Sequence, residues 1–180
     1  MILSDFDLDN YIRDKRLVID PFDRSCVKEN GIDLKLEGEI AIMNEKLGKD
    51  FILDPYNEEH IKKEYTVVKS KVEKLIIPSR AHVMLTTVES VKMPDNLMGF
   101  VELRSTWARH GLSMPPTIID VGFEGTITLE VVNNAPFGIS IKPYERFAHV
   151  IFATTLNRVK TEYKGFYSGQ RGIRLPKALK

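Results

Sequence analysis

The chain has 180 residues, enough for one domain of ordinary size and too few for two comfortable ones. Lysine and arginine number 26 against 25 aspartates and glutamates, a formal charge of +1, which argues against nucleic-acid coating or membrane-surface attraction. At 43% apolar the composition is globular, and a single cysteine, Cys26, rules out an internal disulfide and reads as a small buried hydrophobe in an intracellular chain.

Further exclusions follow from pattern. The four histidines, His60, His82, His110 and His149, show none of the close pairings of zinc sites. No apolar run reaches the roughly 18 residues of a membrane-spanning helix. The opening MILSDFDLDN turns acidic within five residues, unlike a secretory leader. A soluble cytoplasmic protein is expected, with no nucleic-acid and no membrane partner.

In chain order, the first expected element is a short amphipathic helix over Ser4–Lys15. Ser4 caps it, Asp7 occupies the third helical position, and Leu8, Tyr11 and Ile12 share a face. Asp5, Asp7 and Asp9 read as helix-start electrostatics rather than a metal site. Beyond residue 30 the pattern changes to short β-rich runs separated by turn residues: Glu39–Met43, Tyr65–Val68, Lys74–Ile77, His82–Val91, Met98–Leu103, Thr126–Asn133, Phe137–Lys142 and Arg146–Thr154. Between them Gly48–Lys63 is polar and expected to be a surface loop. Many short strands with one clear helix predict a mainly β fold, a sandwich, jelly roll or closed barrel. The tail from Tyr163 to Lys180, with three glycines and five lysines or arginines, reads either as a frayed terminus or as a flexible basic cover for an anion.

The chemistry concentrates in VELRSTWARHGLSMPPTIIDVGFEGTITLEVV, residues 101–132. Ser105 or Thr106 can cap a short helical turn that Gly111 ends in the left-handed conformation. Arg104 and Arg109 flank that turn and read as a phosphate clamp or as surface ion pairs. Asp120 precedes Gly122-Phe123-Glu124-Gly125, and can either cap that turn or accept hydrogen bonds from a sugar hydroxyl. In the strand after it, Ile127, Leu129 and Val131 face one way and Thr126, Thr128, Glu130 and Val132 the other. Glutamate is depleted in strands, and a desolvated Glu130 would move its pKa into the range useful for proton transfer; a solvated outer-face Glu is the alternative.

These pieces, in this order, resemble the dCTP deaminase family, a branch of the dUTPase-like superfamily, in its archaeal-type form. The resemblance rests on MILSD, on Asn30-Gly31-Ile32-Asp33-Leu34, on RSTWARHGL, on IIDVGFEGTITLEVVN, and on Tyr163 with Gly169-Gln170-Arg171-Gly172. It implies a dUTPase-like jelly-roll or β-clip barrel with a short N-terminal helix and a flexible C-terminal tail, one nucleotide deaminase domain over residues 1–180 whose residues 163–180 form a lid. It implies zinc-independent deamination of dCTP to dUTP and ammonia, with Mg2+ entering on the triphosphate and no protein metal site.

Carried over residue by residue, Glu130, Ser105 and Arg109 are catalytic. Arg104, Ser105, Thr106, Arg109, Asp120, Thr128, Leu129, Glu130, Tyr163 and Gln170 contact the nucleotide, with Asp120 on the 3′-hydroxyl. Phe166 stands where many relatives have a phosphate-binding lysine, and Lys164 or Arg171 could replace that charge. The family also implies a homotrimer with nucleotide sites at subunit boundaries. Alternatives are a bifunctional enzyme releasing dUMP, a plain dUTP diphosphatase, and a non-catalytic nucleotide-binding module; dUTP or dTTP are further candidate ligands.

Overall fold

A computed structural model describes residues 1–69 and 73–180. In chain order the elements are α1 (Asp5–Arg13), β1 (Val18–Asp20), β2 (Val27–Lys28), β3 (Gly31–Met43), α2 (Glu58–Glu64), β4 (Tyr65–Lys69), β5 (Leu75–Ile77), β6 (His82–Lys92), β7 (Leu97–Leu103), α3 (Ser105–Arg109), β8 (Leu112–Ser113), β9 (Thr117–Ile119), β10 (Glu124–Asn133), β11 (Ile139–Ile141) and β12 (Arg146–Thr154).

The fold is mainly β, as the pattern predicts. Its main sheet has the order β8-β10-β6-β3-β12-β7-β9, with β1 added to β6 and β2 and β4 added to β3; β5 and β11 form a separate ribbon. The long strand β3 makes the sheet curl. Its first half pairs with β12 and its second half with β6 and β4. One strand therefore belongs to two faces that close over a common core. Period-two alternation sends Ile32, Leu34 and Leu36 inward, each at most 1% exposed, to meet Phe147 and Phe152 from β12. Truncating such a buried leucine costs about 2–5 kcal/mol.

The expected N-terminal helix is present and shorter, ending at Arg13. Ser4 and Asp7 form a reciprocal capping box, and Leu8 and Tyr11 are buried beneath it. Cys26 is a buried free thiol. Two expectations need correction. The segment Gly48–Lys63 is not all loop: Asn57 caps α2 through the Glu59 and His60 amides, a start signal hidden in a highly charged stretch. The strand expected at Glu39–Met43 begins at Gly31, because Asp33, Lys35 and Glu37 face away from the core and mask an alternating apolar row.

What positions the candidate site is β10 and the tail laid along it. Between Thr126 and Thr128 the register of β10 against β6 shifts, and the Ile127 amide donates to Thr87 Oγ1 instead of a ladder carbonyl. After β12 the chain returns across this region. Tyr163 N–H donates to Val121 O, Gly169 N–H to Glu124 O, Thr126 N–H to Gln170 O, and Arg174 N–H to Thr128 Oγ1. Ile173 and Leu175 pack on Ala41, Tyr65 and Met84. The tail is docked along its own chain by backbone bonds.

Candidate active site

Glu130 lies on the outer row of β10. Ile127, Leu129 and Val131 are buried in the core, and Thr128, Glu130 and Val132 are half-buried on the other side, as the alternation predicts. Outside that row is a cavity of about 410 Å³ whose lining includes Asp120, Thr128, Glu130, Tyr163, Gln170 and Arg174. Five residues expected to contact a nucleotide thus meet in one concavity. Leu129 does not join them through its side chain, which is fully buried in the core.

Burial raises the pKa of the Glu130 carboxyl, partly offset by a backbone hydrogen bond. Burial, with Glu64 and Glu130 nearby, likewise pushes up the Tyr65 hydroxyl, which lies 3.1 Å from His82 Nδ1. Asp120 sits exposed at the mouth, and its carboxylate bonds to no other described residue. The expected cap is therefore absent: the turn closes through the Asp120 backbone carbonyl, which accepts from Phe123 N–H at 3.1 Å. Phe123 is buried and its ring lies 6.0 Å from that of Tyr163, joining the turn to the tail.

The tail completes the wall. Gln170 is 4% exposed; its Nε2 donates to Thr126 O at 2.6 Å, and its Oε1 is buried with no hydrogen-bond partner among the described residues. A fixed amide with a free carbonyl oxygen is an acceptor awaiting a donor. Gly125 allows this approach. At φ 149°, a Cβ there would stand 2.8 Å from Gln170 O, too close for any side chain.

The cation in the lining is Arg174, and neither Lys164 nor Arg171 contributes to it. The Arg174 guanidinium and the Lys177 ammonium lie over the Phe166 ring at 4.3 and 4.5 Å. The Phe166 ring therefore gathers two cations. Sequence reasoning passed over Arg174, Met84 and Tyr167, since contacts made by a tail folding back on a strand carry no local periodicity.

The cluster on α3 is elsewhere. Arg104, Ser105, Thr106 and Arg109 are absent from the cavity wall. Ser105, Thr106 and Arg109 are exposed, and Arg109 instead borders a smaller concavity with Trp107, His110, Phe137, Ile139 and Ser140. The helix cap also differs from expectation: the N-cap is Arg104, with no side-chain cap bond, and Gly111 follows the helix at φ 97° as predicted. Arg104 is held from below, its Nε 3.3 Å from Asp33 and its Nη1 donating to Arg146 O at 3.2 Å. Among the described residues no group of three or more His, Cys, Asp or Glu side chains is placed to hold a metal, and no helix is long and apolar enough to cross a membrane.

Known proteins share both sequence and fold. The family profile described as dCTP deaminase-like matches residues 2–155. A dCTP deaminase of Caldivirga maquilingensis is 44% identical over 180 residues, covering 100% of this chain and 98% of the relative. One from Pyrobaculum arsenaticum is 46% identical with the same coverage. Among solved structures, the 2′-deoxycytidine 5′-triphosphate deaminase from Agrobacterium tumefaciens superposes with a TM-score of 0.64 at 16% identity, over 84% of this chain and 46% of that one. A Staphylococcus bacteriophage 80alpha dUTPase gives 0.50 at 12% identity, over 86% of this chain and 99% of that one. At those identities the structural likeness speaks to the fold alone, and it bears out the dUTPase-like β architecture.

Proposed function

The chain belongs to the dCTP deaminase family, and from that premise we propose that it hydrolyses dCTP to dUTP and ammonia without zinc, using Glu130 as the acid–base group. The observation that carries the proposal is a half-buried carboxylate of raised pKa inside a cavity that also holds Asp120 and Gln170.

Deamination adds water at C4 of cytosine and expels ammonia. Ionised Glu130 takes a proton from the water as its oxygen attacks C4, then gives that proton to N3. The intermediate carries a hydroxyl and an amino group on C4. Glu130 next removes the hydroxyl proton as the carbonyl forms and passes it to the departing nitrogen, so the carboxylate is restored. A raised pKa suits both halves of this cycle, because the group is a stronger base when ionised and still donates near neutrality. Such assistance is worth about 10²–10⁴-fold, with orientation supplying much of the rest.

Orientation comes from the wall. The Asp120 carboxylate, which bonds to no other described residue, accepts from the 3′-hydroxyl; Tyr163 and Thr128 flank the nucleotide, and the Gln170 Oε1, unpaired among the described residues, accepts from a ligand N–H. Residues 163–180 serve as the lid. Magnesium arrives on the triphosphate as part of the substrate.

Ser105 and Arg109 do not reach Glu130's cavity within one chain, which supports a homotrimer in which a neighbouring copy presents them, with Arg104 and Thr106, to the triphosphate and the water.

The test is incubation with dCTP and magnesium while ammonia, dUTP, dUMP and pyrophosphate are followed. Ammonia with stoichiometric dUTP is expected. Ammonia with dUMP and pyrophosphate would mean a bifunctional enzyme, and pyrophosphate from dUTP without ammonia from dCTP would overturn the deaminase reading.

A further inference from the structure

Asp33 is an ionisable side chain only 2% exposed that the chemistry above does not use. Its neighbours Ile32 and Leu34 fill the core, so Asp33 leaves β3 on the opposite face, where its cross-strand partner is His149 of β12. One carboxylate oxygen lies 2.9 Å from His149 Nδ1 and the other 3.3 Å from Arg104 Nε. In the tautomer with the proton on Nδ1, the one a carboxylate partner favours, the imidazole donates to Asp33. Arg104 Nη1 then donates to Arg146 O, the carbonyl that also receives Trp107 Nε1 at 2.9 Å. The first turn of α3 is thus tied to β12 by these two side-chain donors and by the Arg104 amide, which donates to Phe147 O at 3.0 Å, and to β3 by an ion pair.

A stability role alone does not account for this group. A buried carboxylate paired with a partly exposed arginine is seldom more stabilising than an apolar replacement, because desolvation offsets the attraction. What the arrangement does supply is direction. A guanidinium is planar, so the hydrogen bond from Nη1 to Arg146 O, with the charge contact between Nε and an Asp33 oxygen that has no hydrogen-bond partner among the described residues, restricts where Nη2 points. With the Arg104 side chain 33% exposed, Nη2 and the second Nη1 hydrogen remain for an outside acceptor.

We propose that Asp33 and His149 are positioning residues for Arg104, clamping the inner edge of its guanidinium so that the outer edge meets the triphosphate oxygens of a bound nucleotide. The inference rests on the reading of Arg104 as a triphosphate contact. His149 secures Asp33, Asp33 secures Arg104, and neither touches the nucleotide.

The experiment measures kcat and KM for dCTP, and the inhibition constant of inorganic tripolyphosphate, in the full-length wild type, Asp33→Asn, Arg104→Ala and the double variant. Arg104→Ala is expected to weaken tripolyphosphate about a hundredfold, and Asp33→Asn about tenfold with kcat within about twofold of wild type. In the double variant the Asp33 effect should vanish, since there is no guanidinium left to orient. An Asp33 effect of equal size in both backgrounds would mark a general structural role and overturn the proposal, as would an unchanged inhibition constant in Asp33→Asn. If Arg104→Ala alone leaves tripolyphosphate binding intact, the triphosphate reading of Arg104 is what has failed, and the clamp falls with it. Should Asp33→Asn not fold, His149→Gln replaces it, with an expected rise of about threefold that disappears beside Arg104→Ala and whose persistence there rejects the proposal.

Discussion

Glu130 sits half-buried between a register-shifted strand and a docked tail, whereas Ser105, Thr106 and Arg109 stand exposed on a five-residue helix whose Trp107 is fastened to β12 beneath it. One region removes water from an acid; the other offers hydroxyls and cations to whatever approaches. The difference is chemical. A proton-transfer group gains from desolvation because its pKa moves toward neutrality, while a cation that must first meet a triphosphate gains from staying hydrated and reachable. Under the proposed function, such a divided site is completed when two copies bring the surfaces together.

The sharpest way to break that contrast is to neutralise the desolvated side. Glu130→Gln keeps the shape of the cavity and removes the base, so ammonia release should fall by about 10²–10⁴-fold while dCTP still binds. Turnover near the wild-type value would reject the role of Glu130. In the unmodified protein the same carboxyl predicts a pH limb with a definite sign. Burial raises its pKa above the usual 4.5, and the base works only when ionised, so kcat/KM should fall as pH drops through a value above 4.5. A profile still flat down to pH 4.5 would contradict it.

The next test mixes the two regions. Glu130→Gln and Arg109→Ala, each inactive alone, should recover activity when unfolded and refolded together. If each site takes Glu130 from one chain and Arg109 from its neighbour, random assembly leaves about a quarter of the sites intact. Recovery absent from a verified mixed oligomer would place both residues in sites within single chains.

How much of this was legible beforehand follows the same division. The strand carrying Glu130 announced itself by period-two alternation, and the RSTWAR and GFEG segments by their turn residues, because those signals are local. Arg174 was not legible: its place in the wall depends on the tail crossing β10 from 44–46 residues away in sequence, as the Thr126–Gln170 and Thr128–Arg174 bonds show. The caps expected from Ser105 and Asp120 failed for a related reason. In both turns backbone carbonyls already satisfy the amides, as Arg104 O does for Trp107 N–H, leaving the side chains free for a ligand.

A smaller effect probes the tail's part in desolvation. Gly125→Ala forces a Cβ toward the Gln170 backbone at a φ that favours glycine, so the tail should lift from β10. The expected result is a rise of about tenfold in KM for dCTP and faster proteolysis after residue 163, with the sheet intact by circular dichroism. An unchanged KM would show that the tail is dispensable to binding.

The smallest effect separates burial used for chemistry from burial that merely costs stability. Glu89 is 4% exposed and, like Glu130, has its pKa raised by burial, yet it lies away from the cavity and accepts a hydrogen bond from the Lys35 amide at 2.9 Å. A carboxyl whose folded pKa exceeds its unfolded value favours the folded state fully below the unfolded pKa, and loses that contribution as pH rises through the folded one. At neutral pH Glu89 is therefore a burden that glutamine, which can still accept from Lys35, does not carry. Glu89→Gln should raise Tm by about 2 °C at pH 7, with the gap closing near pH 4 and kcat unchanged. If the variant instead melts lower at pH 7, attraction to Lys35 outweighs desolvation at Glu89, a cation that does not act on Glu130, and the burden assigned to Glu89 is rejected.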